Sequence, residues 1–139
     1  MLEETVRSLG LAGRVHLPGF KSNLWGYMKS ASCYVLASRY EGLPLALLEG
    51  MAAGCPVVSF DCDYGPSEIL THMENGVLVR PGDIDVMGAG IAVVLEDRSL
   101  ARRMGQAGAR RAMDFDSPLI ARQYGALFEQ MLASPESRS

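Results

Sequence analysis

Short, largely apolar runs alternate with longer helix-like segments along this chain, and this alternation constrains its fold more than any other feature. The runs Cys33–Ala37 and Pro56–Phe60 do not alternate apolar with polar residues. Strands of this kind are typical of a parallel sheet that is covered on both faces. Strand–helix alternation therefore predicts one doubly wound α/β domain over residues 1–133. A flexible tail is expected at residues 134–139.

Capping residues and turn residues set the boundaries of the predicted elements. The predicted strands are Arg14–Leu17, Cys33–Ala37, Pro56–Phe60 and Gly76–Val79. The predicted helices are residues 2–9, a helix capped by Ser22 through Ala31, Pro44–Gly54, Pro66–Leu70, a helix capped by Asp83 to Glu96, a helix capped by Ser99 to Met113, and Ser117–Leu132. A doubly wound unit normally begins with a strand. Since none precedes the first helix, we expect a piece of a longer protein that lacks its first strand.

Charge and composition exclude several classes of protein. A net charge of −3 and a pI of about 5.3 give no general attraction to nucleic acid. The apolar runs Leu43–Leu48 and Val86–Leu95 are shorter than the roughly 20 residues that cross a bilayer. Three cysteines without CxxC spacing and two scattered histidines argue against a disulfide framework and a zinc site. We therefore expect a cytoplasmic protein without a metal site or a nucleic-acid partner.

The segment Ser38–Gly54 carries the most informative chemistry. Its helix is apolar apart from Glu49, which borders the stripe of Leu45, Leu48 and Ala52 at 100° per residue. This pattern predicts a helix that is buried on most sides, with a carboxylate that needs hydrogen-bond donors. Helical side chains lean toward the N-terminus, so the Glu49 carboxylate is expected in the crevice at the carboxyl ends of the strands. A pair of ribose hydroxyls would satisfy it.

A second carboxylate, that of Glu41, lies in the loop just before this helix. Gly42 follows it and lets the backbone turn sharply or approach a ligand. The free N–H groups of the first helical turn, with the helix dipole, suit a diphosphate. Simpler interpretations stay open: Glu41 as a solvated loop acid, and Glu49 satisfied by backbone or by Arg39. Two glutamates eight residues apart are by themselves a weak pattern.

Residues 41–70, EGLPLALLEGMAAGCPVVSFDCDYGPSEIL, resemble the C-terminal, donor-binding domain of the retaining glycosyltransferases of family 4. These enzymes have the GT-B fold of two Rossmann-like domains, and the resemblance covers nearly the whole chain. It implies a parent enzyme that transfers a hexosyl group from a nucleotide sugar to an acceptor hydroxyl with retention and without a metal. The Asp-Tyr-Gly-Pro-Ser-Glu form resembles bacterial enzymes that build surface polysaccharide or glycolipid from UDP-sugars.

The resemblance also implies a role for individual residues. Glu41 contacts the donor sugar and is the candidate catalytic residue, whereas Glu49 binds the ribose of the nucleotide. The turn with Pro18 holds the base, the backbone of the turn before the helix faces the sugar and diphosphate, and a Gly-x-x-Glu loop lines the cleft. The donor-binding positions implied in these three segments are Gly19, Phe20, Gly42, Leu43, Leu45 and Gly65.

Two features of the family have no counterpart in these 139 residues. Its basic phosphate clamp and its acceptor-binding N-terminal domain would precede Met1, so the isolated chain is expected to be inactive. Lys21 and Arg39 are possible substitutes for the clamp, although surface charges are the favoured interpretation. The acceptor is expected to be a saccharide or a lipid-linked molecule, with the whole protein at the inner face of the membrane. The arginines of Arg98–Arg111 fit a solvated helix face better than a lipid contact.

Two other functions compete with this interpretation. A glycoside hydrolase would use Glu41 and Glu49 as an acid and nucleophile pair that flanks one glycosidic bond, with carboxyls about 5–10 Å apart. A non-catalytic α/β binding module would need neither carboxylate. Such a module has no evident use for a nearly apolar helix with one inward glutamate, so the transferase is favoured.

Overall fold

The structure is a computed structural model that describes residues 2–133. Its helices are α1 (Leu2–Ser8), α2 (Trp25–Ser30), α3 (Leu45–Ala52), α4 (Pro66–Ile69), α5 (Ile84–Glu96), α6 (Arg98–Ala112) and α7 (Ser117–Ala133), with a 3₁₀-helix at Met113–Phe115 before α7. Its strands are β1 (Tyr34–Leu36), β2 (Val57–Phe60) and β3 (Val77–Val79). The tail predicted at residues 134–139 lies outside the described residues.

The three strands form one parallel sheet in the order β1-β2-β3. Tyr34 pairs with Val57 in the first ladder, and Val58 pairs with Val77 in the second. Each crossover contains at least one helix, as parallel pairing requires. The predicted α/β class and three of the four predicted strands are therefore confirmed.

Strand β2 occupies the centre of the sheet, and all four of its residues are buried. On one face, Val58 packs in a cluster with Val94 of α5 and Met104 of α6. On the other face, Val57 packs with Leu47 and other residues of α3. Helices on both faces explain why this strand is apolar without alternation.

Helix α6 packs its backbone directly against the turn that precedes β2. A Cβ atom added at Gly105 would overlap the carbonyl oxygen of Gly54, and one added at Gly108 would lie 3.4 Å from the carbonyl oxygen of Asn75. Gly54 itself has a φ of 75°, which L side chains rarely adopt. Only the absence of side chains lets the helix come so close to this turn.

Arg111, in the last turn of α6, joins this helix to the short helix α4. Its guanidinium donates to the carbonyl oxygens of Glu68 at 2.7 Å and Ile69 at 3.3 Å. It also pairs with Asp114 at 3.0 Å and lies 4.8 Å from the centroid of the Phe115 ring. The planar fork of arginine suits several acceptors at once. Arg111 is therefore a link between two elements rather than part of a solvated basic face.

The prediction of a strand at Arg14–Leu17 is wrong. These four residues are exposed, and the N–H groups of Arg14 and Val15 donate to the carbonyl of Leu11 in a local turn. A strand needs a neighbour for its backbone groups. Within residues 2–133, neither edge strand, β1 or β3, pairs with this segment, so its backbone groups do not enter a ladder.

Two of the three predicted N-caps are wrong. The N-cap position of α2 is Leu24, which makes no side-chain cap bond, and that of α6 is Asp97. Asn23, not Ser22, accepts from the N–H of Trp25 at 3.0 Å, and α2 begins at Trp25. Asp97, not Ser99, accepts from the N–H groups of Ser99 and Leu100, both at 2.9 Å. Asp83 caps α5 as predicted, accepting from Val86 at 3.1 Å.

The three cysteines are unpaired thiols, as their spacing indicates. Burial, and then the proximity of Cys55, raise the pKa of Cys33 to about 11. Burial also raises the pKa of Cys55 and Cys62. At neutral pH these side chains are therefore uncharged and pack as small apolar groups.

Helix α7 has no buried residue, and it exposes an apolar stripe at helical spacing. Tyr124 and Phe128 belong to this stripe, with ring centroids 6.1 Å apart. Within residues 2–133, no helix combines the length and the apolar character that a membrane crossing requires.

The contact between α6 and the Gly54 turn can be tested by measuring the stability of variants. Gly105→Ala should lower the free energy of unfolding by about 1–3 kcal/mol, since the new methyl group forces α6 away from the turn. Gly88→Ala is the matched control, because Gly88 also lies within a helix but faces open space. That change should be neutral or stabilise by up to about 1 kcal/mol. Urea denaturation of both variants measures the difference, and equal effects would contradict the packing described.

Candidate ligand site at the carboxyl ends of the strands

Two loops meet at the carboxyl edge of the sheet. One follows β1 and contains Gly42; the other follows β2 and contains Gly65, whose φ is 93°. A Cβ atom at Gly65 would overlap the carbonyl oxygen of Gly42 and lie 2.7 Å from Cδ of Pro44. The sequence placed both glycines in one site, and the structure brings their backbones into contact.

The N-terminus of α3 is open on the side of these loops. Its N-cap, Pro44, offers no side-chain hydrogen bond, and its carbonyl accepts from the N–H groups of Leu47 and Leu48. The N–H groups of Leu45 and Ala46 bond to nothing within residues 2–133. Leu43 and Leu45 are 52% and 62% exposed. An anion that approaches here would meet free N–H donors and the positive end of the helix dipole.

Glu49 lies one turn further along α3 and is exposed rather than buried. It lines a cavity of about 560 Å³ together with Leu45, Leu48 and Ala52, the stripe that the sequence predicts beside it. The prediction that α3 is buried on most sides is wrong at Leu45 and Glu49, because this side of the helix faces the open cavity. Within residues 2–133, the Glu49 carboxylate forms neither an ion pair nor a hydrogen bond, so it is available to a ligand.

The rest of this cavity is lined by residues that the sequence analysis did not identify. Helix α2 contributes Trp25, which is 48% exposed. The others come from the end of α6 and the segment after it: Ala109, Arg110, Ala112, Met113, Phe115, Asp116 and Ser117. The one sequence feature that could have pointed to Trp25 is that it is the only tryptophan of the 139 residues. A volume of this size and a mixed apolar and polar lining are typical of small-molecule sites.

Both candidate carboxylates influence one tyrosine beneath α3. The Tyr34 ring lies 3.3 Å from the position that a Cβ on Gly50 would occupy. Burial raises the pKa of the Tyr34 hydroxyl, and the negative charges of Glu41 and then Glu49 raise it further. The half-buried Glu41 and the exposed Glu49 are therefore both near enough to the Tyr34 hydroxyl to affect it.

Some predicted site residues do not join this group. Gly19 and Phe20 are exposed, Phe20 to 93%, and neither they nor Pro18 line the cavity that contains Glu49. Lys21 and Arg39 are also exposed and form no ion pair with another described residue. Across residues 2–133, no three His, Cys, Asp or Glu side chains are placed to hold a metal ion together.

Fold and site together define an α/β domain with a candidate ligand site at the carboxyl edge of a parallel sheet. The family model of the glycosyl transferases group 1 matches residues 1–111. This chain belongs to that family. The resemblance seen in residues 41–70 is thereby confirmed.

Three similar proteins illustrate the relationship. An exopolysaccharide phosphotransferase of Streptomyces coelicolor is 33% identical over 95% of this chain and 14% of its own length. The structure of Anabaena Alr3699/HepE in complex with UDP is 25% identical, with a TM-score of 0.88 over 93% of this chain and 36% of that one. The C-terminal domain of a group 1 glycosyl transferase (LpcC) from Francisella tularensis is 28% identical, with a TM-score of 0.73 over 81% of this chain and 58% of that one.

These matches confirm the expected fold as the C-terminal part of a GT-B glycosyltransferase. The chain spans less than two thirds of the length of each of the three proteins. The function of the Streptomyces relative belongs to a protein of which this chain matches 14%.

The contact between the two loops can be tested by matched substitutions. Gly65→Ala should lower the free energy of unfolding by about 1–3 kcal/mol, because alanine fits neither the φ of 93° nor the space beside Gly42. Gly42→Ala should have little effect on stability, because its Cβ would meet open space. Thermal unfolding of the two variants measures the contrast. A Gly65 variant as stable as the Gly42 variant would mean that the loops do not touch.

Proposed function

We propose that this chain binds the nucleotide-sugar donor, a UDP-sugar, of an enzyme that transfers a hexosyl group to an acceptor hydroxyl with retention. The observation that carries the proposal is the unpartnered carboxylate of Glu49 in a cavity that begins at the open N-terminus of α3. UDP in the similar Anabaena structure supports the choice of nucleotide. Family membership favours a transferase over a hydrolase or a non-catalytic module.

In this proposal the donor lies along α3. The diphosphate accepts from the N–H groups of Leu45 and Ala46 and from the backbone of Gly42 and Leu43. The ribose hydroxyls donate to the Glu49 carboxylate, which offers acceptors and no donors. Gly65 permits the loop after β2 to close on the sugar side, where a side chain would displace Gly42.

The reaction breaks the bond between the anomeric carbon and the diphosphate oxygen. The acceptor oxygen bonds to that carbon on the same face of the sugar, and its proton passes to the departing phosphate. Negative charge that develops on the diphosphate is stabilised by the helix N–H groups, a preorganised contribution of several kcal/mol. Glu41 orients the sugar through its hydroxyls and is not a nucleophile. The proposal requires no metal ion.

The proposal also covers the acceptor of the hexosyl group. The proposed acceptor is a saccharide or a lipid-linked molecule in bacterial surface polysaccharide or glycolipid synthesis, at the cytoplasmic side of the membrane. The exopolysaccharide named for the Streptomyces relative supports the saccharide. The acceptor would bind to a part of the protein other than these 139 residues. This chain then supplies donor recognition.

Replacing Glu49 tests the ribose contact. Glu49→Ala should weaken UDP binding by about 1–3 kcal/mol, the value of hydrogen bonds to a charged group. Glu96→Ala is the control, since Glu96 is an exposed carboxylate at the end of α5 and does not line the cavity. Titration calorimetry gives both dissociation constants. If the Glu49 variant bound UDP as tightly as the Glu96 variant, the Glu49 carboxylate would not be a ligand of the ribose.

Replacing Glu41 tests the sugar contact separately from the nucleotide. In the natural protein that carries this chain, Glu41→Ala should lower the transfer rate by a larger factor than it lowers UDP affinity, because the lost contact is with the sugar in the transition state. Steady-state kinetics with the UDP-sugar and calorimetry with UDP measure the two effects. Equal losses of transfer rate and of UDP affinity would mean that Glu41 does not contact the sugar.

A further inference from the structure

We propose that the indole of Trp25 stacks on the nucleobase of the bound nucleotide. The inference rests on the proposed function and deepens it, because it assigns the base to a residue of α2. The turn with Gly19 and Phe20, which the sequence suggested for the base, does not line the cavity of Glu49, whereas Trp25 does.

Trp25 lies at the start of α2, at the edge of the cavity. It is the first residue of α2, and its backbone N–H is held by Oδ1 of Asn23 at 3.0 Å, which fixes the start of the helix. Its side chain is 48% exposed, so about half of a large apolar surface remains in contact with water at the edge of a cavity. A flat ligand that covered this surface would remove it from water.

Trp25 is the available aromatic surface in this cavity. The other aromatic lining residue, Phe115, is half-buried, and the Arg111 guanidinium covers its ring at 4.8 Å. Among the described residues, Trp25 has no ring partner and no cation over its face. Any of the nucleobases can stack on such a surface, because every base has a π-face.

The groups along α3 that could bind a nucleotide follow a definite order. The open N-terminus, at Leu45, suits the diphosphate. Glu49 follows about 6 Å further along the helix axis, at 1.5 Å per residue. Ala52, one turn beyond, lines the same cavity as Trp25. Phosphate, ribose and base are joined in this same order, so a nucleotide anchored at Leu45 and Glu49 carries its base toward the far part of the cavity.

The sequence makes a direct test available, because Trp25 is the only tryptophan among the 139 residues. UDP and uridine should both change the tryptophan fluorescence of the chain in a saturable way. Ribose 5-phosphate, which has no base, should leave the fluorescence unchanged at concentrations that occupy the site. Competition with UDP checks that occupancy.

Variants separate stacking from other effects. Trp25→Leu should weaken UDP binding roughly tenfold, the effect of losing one base–aromatic stack. Trp25→Phe should retain most of the affinity because it keeps an aromatic face. Tyr27→Leu is the matched control: Tyr27 is 59% exposed on the same helix but does not line the cavity, so its loss should leave UDP affinity unchanged. Calorimetry suits all three, since it needs no tryptophan.

The outcomes distinguish this inference from the proposed function. UDP binding that depends on Glu49, with unchanged fluorescence and full affinity in Trp25→Leu, would overturn the stacking and leave donor binding intact. Equal losses in Trp25→Leu, Trp25→Phe and Tyr27→Leu would also overturn it, since they would reflect damage to α2. Absence of any UDP binding to the wild-type chain would overturn both proposals.

Discussion

The burial of β2 on both faces is the constraint on which the remaining structure depends. Val57 and Val58 point to opposite sides of the sheet, and each belongs to a separate apolar cluster. Helix α6 contributes to both clusters, through Met104 on one side and Ala112 on the other. It can do so because Gly105 lets it lie directly on the turn before β2. The helices on the two faces of the sheet are therefore connected through β2 and through α6, which lies against the turn before β2.

The same parallel sheet also creates the candidate site. Parallel strands end at one edge, so the loops after β1 and β2 are neighbours there. Gly65 and Gly42 touch through backbone atoms, and α3 begins beside them. Much of this site consists of main-chain groups, whose placement depends on the fold. Glu41 and Glu49 add the two side-chain functions on either side of the helix start.

Local sequence patterns predicted the elements whose partners lie within the described chain. The strand at Tyr34–Leu36 follows from an unbroken apolar run, and the cavity-lining position of Glu49 follows from helical periodicity. The strand expected at Arg14–Leu17 does not form, because apolar residues alone do not provide a neighbouring strand with which the backbone can pair. The role of Trp25 could not be predicted, because it depends on how α2 approaches α3 and the end of α6, which is a tertiary contact. Competing caps such as Asp97 and Ser99 differ by energies too small to separate from sequence.

The link made by Arg111 has a consequence for the order in which the protein acquires its shape. Helix α4 has four residues, too few to be stable alone. Its last carbonyls are held by a guanidinium that lies 43 residues further along the chain from Glu68. During synthesis the ribosome must release α6 before α4 gains this support. The turn at Gly65 would then be among the last parts of the domain to become ordered, long after its own residues have been translated.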